Sequence, residues 1–140
     1  MRPSTLAEAV ERIRAGGSRD EALAEFVDSF MLAPDAAARF ATIDQEPVRT
    51  EDDRLNALVG AMAEYLAKQY RLAKIPPWAA ASWRCLDEPW FTTSSADPAM
   101  SEYLAFTSPA EFRWRNIFTE ERPLRRARSH LPVIERARSE

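Results

Sequence analysis

Between Thr50 and the pair Pro76-Pro77 the apolar residues Leu55, Leu58, Val59, Met62, Leu66 and Tyr70 recur at helical spacing for more than five turns. No alternating pattern of comparable length occurs elsewhere. This stretch predicts a long helix over 51–73, with Thr50 as N-cap and Glu51-Asp52-Asp53 in a first turn where the helix dipole favours acids. Two consecutive prolines end it, because each removes a backbone donor and Pro76 drives Ile75 out of the α region.

The flanking segments carry the same period. Thr5 with Glu8 has capping-box spacing, and Leu6, Ala9, Val10 and Ile13 then share one face until Gly16-Gly17. Ser18 with Glu21 repeats the box ahead of Leu23, Phe26, Val27, Phe30 and Met31. Pro34 opens a short third helix through Phe40, Ala41 and Ile43, closed by Gln45-Glu46-Pro47. Beyond Trp78 a short helix over 78–86 puts Cys85 and Leu86 inward, and Asp87-Glu88-Pro89-Trp90-Phe91 reads as an irregular turn. Residues 92–97 (TTSSAD) read as a loop. Pro98 opens another helix through Met100, Tyr103, Leu104 and Phe106. Ser108-Pro109-Ala110-Glu111 then supplies N-cap, N1 proline and N3 glutamate for a helix over 109–118. The expectation is an all-α chain: one compact domain over 1–140, a bundle of five to seven helices around the 51–73 helix.

Composition narrows the chemistry. With Gly only at 16, 17 and 60, no phosphate loop, dinucleotide fingerprint or nucleophile elbow can be built. A single cysteine, Cys85, and a single histidine, His130, cannot form an intramolecular disulfide or supply a structural zinc site by themselves. Cys85 beside Leu86 reads as an inert thiol rather than a nucleophile. The acids Glu51-Asp52-Asp53 and Asp87-Glu88 have capping and turn roles, so no catalytic residue, cofactor or metal ligand is expected. No apolar run approaches the roughly 18 residues of a membrane span, and the N-terminus has acids where a leader needs an apolar core. The cytoplasm is the expected compartment.

Charge is distributed unevenly. Residues 1–60 hold 7 Arg against 12 acids, whereas 111–140 hold 8 Arg against 5. Seventeen of the 19 basic residues are Arg, whose planar guanidinium suits bidentate contacts and aromatic stacking. The Gly-Gly-Ser link between the first two helices imitates a helix-turn-helix, but Asp20, Glu21, Glu25 and Asp28 on the second helix repel phosphate. The Arg-rich C-terminal segment, 122–138, keeps nucleic-acid binding as the second reading. The first is a protein-interaction module. All four Trp lie between 78 and 114, and Trp and Arg dominate binding hot spots. Trp90, Phe91, Arg113, Arg115 and Asn116 are the expected partner-binding residues, with the acidic front occupying a basic cleft of the partner.

The order AEYLAKQYRLAKIPPW, LDEPWF, SPAEFRWRNIF and PLRRA, spanning about 50–127, resembles a group of small helical bacterial proteins encoded beside nucleotidyltransferase-like toxins. That resemblance implies a non-catalytic antitoxin-like or accessory partner of such an enzyme, and it brings no active-site residues with it.

Overall fold

The computed structural model describes residues 2–92, 98–120 and 123–124. About 60% of these residues are helical and 3% are in strands. The chain resolves into two compact units, one built on Met1–Val48 and the other on Arg49–Pro123. The sequence pattern alone predicts one domain.

The first unit contains α1 (Leu6–Arg14), α2 (Arg19–Leu32) and α3 (Ala36–Asp44). Thr5 caps α1 by accepting from the Glu8 amide at 3.1 Å, while the Glu8 carboxylate accepts from Ser4 N–H at 2.7 Å, one residue earlier than the simple capping box requires. Gly16, at φ +107°, then closes α1. The Gly16 and Gly17 amides bond to the Ile13 and Arg12 carbonyls at 3.0 Å each, the paired bonds of a Schellman end. Ser18 caps α2 as expected. Pro34 does not enter α3: Asp35 is its N-cap and accepts from Ala38 N–H at 2.8 Å. The core is Leu6, Ala9 and Val10 of α1 with Leu23, Phe26, Val27 and Phe30 of α2 and Ile43 of α3. α2 has no base in its last turn; Arg39 of α3 donates to the Phe30 and Met31 carbonyls there, at 3.3 Å each.

The second unit is organised by α4 (Asp53–Gln69). The helix starts two residues later than predicted and ends four earlier, and both shifts have local causes. Thr50 does not cap it. Its backbone N–H and carbonyl are bound by the side-chain amide of buried Asn56, at 2.9 Å each, and Asp52 becomes the N-cap. At the other end Arg71 adopts φ 54°, and the Arg71 and Leu72 amides bond to the Lys68 and Ala67 carbonyls at 3.3 and 2.9 Å. This is the same Schellman geometry with arginine in place of glycine.

Downstream, the predicted 78–86 helix is two 3₁₀ turns, Pro77–Ala80 and Ser82–Arg84. They turn Ala79 and Arg84 inward, leaving Cys85 and Leu86 half-buried. Trp90–Phe91 is not a turn but a strand, β1, paired in parallel with β2 (Ile117–Phe118). α5 (Pro98–Thr107) begins at its proline as predicted. The helix after Ser108 is much shorter than expected, α6 covering only Ala110–Arg113. The Ser108 hydroxyl accepts from Thr119 N–H at 2.8 Å and so anchors β2 instead of capping α6. Asn116, at φ 67°, reverses the chain into β2; asparagine is among the few non-glycine residues that enter this left-handed region readily.

Candidate interaction surface

Every Trp in the chain belongs to the second unit, and every one has a guanidinium on its face. The Arg84 Cζ lies 4.7 Å from the Trp78 ring centre and 4.0 Å from that of Trp83. Arg49 covers Trp83 at 4.8 Å, so indoles and guanidiniums alternate in a ladder. Arg54 lies 5.1 Å from Trp90, and Arg115 4.2 Å from Trp114. Such contacts strengthen as water is removed, and Arg84 and Arg115 are 0% and 1% exposed.

Two buried guanidinium side chains need room beside α4, and Gly60 provides it. A Cβ there would lie 3.2 Å from Arg115 Nε, 3.2 Å from Arg84 Cδ and 3.3 Å from Arg84 Cβ. Glycine is unfavourable inside a helix; here it lets both arginine stems pass against the backbone.

A buried cation must be compensated by charge and hydrogen bonds. Arg84 donates to the Asn56 carbonyl at 3.0 Å. Arg115 donates to the Ala79 carbonyl at 2.6 Å, the Glu111 carbonyl at 2.8 Å and the Glu64 carboxylate at 2.7 Å. The same Glu64 oxygen accepts from the Trp114 indole N–H at 3.1 Å. The other Glu64 oxygen meets Lys68 at 3.1 Å, and Lys68 reaches Glu111 at 3.3 Å. Burial pushes the Glu64 carboxyl up, but hydrogen bonds from Arg115, Lys68 and Trp114 outweigh it and hold the group below the ordinary carboxylate value. Its hydrogen bond to Glu64 raises the Lys68 ammonium above the usual lysine value, against a smaller opposing effect of burial.

The network fixes one edge of the unit. Trp114 keeps half of its surface in solvent (51%) although its indole is held by Glu64 on one side and Arg115 beneath. On the same wall an open groove of about 490 Å³ runs between α4 (Tyr65, Lys68, Gln69) and the α5–α6 junction (Thr107, Pro109, Glu111). Beyond it α5 leaves Tyr103 and Phe106 exposed at 52% and 79%.

The five predicted partner-binding residues do not share one outward face. Trp90 is 8% exposed and Arg115 only 1%. Their roles are internal, because β1 pairing encloses the first and the Glu64 network the second. Phe91 is half-buried and stacks on Phe118 at 5.0 Å. Asn116 is half-buried and donates to the Leu86 carbonyl at 2.8 Å. Arg113 is exposed and donates to the Ser108 carbonyl at 2.8 Å. Trp114, Tyr103 and Phe106, which the sequence pattern assigns to apolar helix faces, are the side chains that reach solvent. For the α5 residues alone a signal was present in the spacing: Met100, Tyr103 and Phe106 advance by threes and drift off a single buried stripe. Burial raises the pKa of the Cys85 thiol, which favours the un-ionised form. His130 and the arginines at 122, 125, 126 and 128, which carry the nucleic-acid reading, lie outside the described residues.

No helix among the described residues is long and apolar enough to cross a membrane. Comparison with known proteins finds no matching family model, curated protein or solved structure.

Proposed function

We propose that the chain is a non-catalytic protein-interaction module, an antitoxin-like or accessory partner of an enzyme of the nucleotidyltransferase-like class, working in the cytoplasm. The resemblance of segments 63–78, 86–91 and 108–118 supplies the enzyme class. The observation that carries the binding role is Trp114: a large aromatic side chain, half in solvent and already immobilised by Glu64 and Arg115. An anchor fixed before association loses little rotamer freedom on binding, and Trp is the side chain most enriched among binding hot spots. Exposed Arg113, next in sequence, and the groove edge at Lys68 and Glu111 supply the polar rim of such a contact. Buried Arg115 contributes by positioning Trp114, so of the five residues first expected to bind, Arg113 is the one assigned to direct contact.

The test is affinity capture of the full chain from its native cells at moderate salt, with nuclease treatment and mass spectrometry of what stays bound. A stoichiometric protein with a nucleotidyltransferase-like site is the expected result. Trp114→Ala should weaken that complex about tenfold or more, roughly 1.4 kcal/mol, without altering the far-ultraviolet circular dichroism. Recovery of nuclease-sensitive nucleic acid alone overturns the reading in favour of the Arg-rich C-terminal segment.

A further inference from the structure

Lys68 is exposed, yet both of its partners are largely buried. Its side chain keeps 48% of its surface in solvent, while its ammonium lies 3.1 Å from Glu64 Oε2 and 3.3 Å from Glu111 Oε2, on side chains only 14% and 13% exposed. An isolated surface pair contributes little. One cation shared by two largely buried anions is a different case, because without it two like charges are left side by side in a poorly solvated place.

Each carboxylate governs one half of the Trp114 geometry. Glu64 supplies the acceptor: its Oε1 takes the indole N–H at 3.1 Å and an Arg115 N–H at 2.7 Å. A carboxylate gripped through one oxygen can turn about that contact, and its lone pairs turn with it. Lys68 on Oε2 is the second grip, which fixes the carboxylate plane and so the direction in which Oε1 accepts. Glu111 belongs to the element that carries the donor. α6 is four residues long with Trp114 as its C-cap, and a single helical turn does not hold its own shape. Its Phe112 ring meets Tyr65 of α4 edge-on at 5.6 Å, and the Lys68–Glu111 contact is a second tie to α4. An apolar contact tolerates small rotations; the charged tie one residue earlier restrains them.

We propose that Lys68 is the positioning residue of the Trp114 anchor, one ammonium fixing both the acceptor of the indole and the short helix that presents it. The inference rests on the reading of Trp114 as a contact residue and adds a coupling to it: removing the Lys68 charge loosens Trp114 without touching it.

Nuclear magnetic resonance of the full chain, isotope-labelled at its indole nitrogens, tests this without a partner. The chain has four tryptophans, so the Trp114 signal is assigned by its loss in Trp114→Phe. Lys68→Met keeps an unbranched stem and removes the charge. It should speed water exchange of the Trp114 indole proton about tenfold, the scale of one charge-assisted hydrogen bond, while Trp78, Trp83 and Trp90 keep their native rates. Lys68→Arg should restore most of the protection. Unchanged exchange at Trp114 overturns the proposal, and so does equal acceleration of every indole, which would make Lys68 a general stabiliser. Should Lys68→Met disturb folding, Glu111→Gln decides: it cuts the tie to α6 alone and should speed exchange at Trp114 about threefold, and no change there overturns the assignment. A loosened indole in Lys68→Met together with native affinity for the captured partner supports the role of Lys68 and overturns the contact assigned to Trp114.

Discussion

The two units solve the same problem with different materials. The first buries mainly aliphatic and phenylalanine side chains between three helices, with Asp28 and Thr42 also buried, and the ion pair Arg12–Glu25 that joins two of those helices lies at the surface, each side chain more than a third exposed. The second places two whole guanidiniums inside, Arg84 against the Trp78 and Trp83 rings and Arg115 against Trp114, and neutralises Arg115 with a carboxylate that is itself mostly buried. An apolar core tolerates adjustment, because its attractions are non-directional. A buried cation has less latitude: the terminal N–H groups of Arg115 are met by acceptors in fixed places, so the second unit is stabilised by a connected polar set whose members depend on one another.

The largest test of that contrast removes one carboxylate from each unit. Glu64→Ala strands Arg115 and should destabilise the fold by about 3 kcal/mol, read from the urea midpoint at constant m-value. Glu25→Ala removes only a surface pair and should cost less than about 1 kcal/mol. Equal effects would break the distinction.

Gly60→Ala comes next. Alanine's helix preference offers about 1 kcal/mol, but crowding two immobile arginine stems costs about 1–3 kcal/mol. Net destabilisation of about 1 kcal/mol is expected, whereas a gain would mean that the stems can move aside.

The two Schellman ends give a matched pair of opposite sign. Gly16→Ala imposes a side chain at φ +107° and should cost about 1 kcal/mol. Arg71→Gly relieves a side chain at φ 54° and should stabilise by about 0.5–1 kcal/mol, seen as a rise in thermal midpoint.

Acid sharpens the comparison further. Because folding lowers the Glu64 pKa from its ordinary 4.5, its contribution is present above that value and lost as pH falls through the folded-state pKa. The stability gap between the native chain and Glu64→Gln should therefore be constant near neutrality and shrink below about pH 4.5. Lys68, whose pKa is raised by Glu64, contributes in the opposite sense: its share is complete below the ordinary lysine value and fades as pH rises through the folded one.

The same division separates what could be read from the sequence from what could not. In the first unit the caps Thr5 and Ser18, the Gly16-Gly17 stop and the Leu–Phe stripe are local signals, and the helices follow them. In the second unit the decisive interactions join distant residues. Nothing near Ser108 announces that its hydroxyl serves Thr119 instead of α6, nor does the vicinity of Thr50 reveal that Asn56 occupies its backbone. Arginine is ordinarily a surface residue, so assigning Arg115 to a contact face was the natural reading. Only the acceptors supplied by Glu64, Ala79 and Glu111 make its burial tolerable. Helical character was therefore legible up to the end of α4 and overstated over 78–86 and 109–118, while the exposed anchor Trp114 was not legible, because its orientation depends on a glutamate fifty residues earlier.

Confinement of all four tryptophans to Arg49–Pro123 also divides the molecule optically. Fluorescence excited at about 295 nm reports melting of the second unit alone, whereas the circular dichroism of helices reports both. Coincident transitions by the two probes would identify a single cooperative block. An earlier loss of ellipticity at constant emission would identify Met1–Val48 as an independent foldon that opens while the indole–guanidinium ladder stays intact.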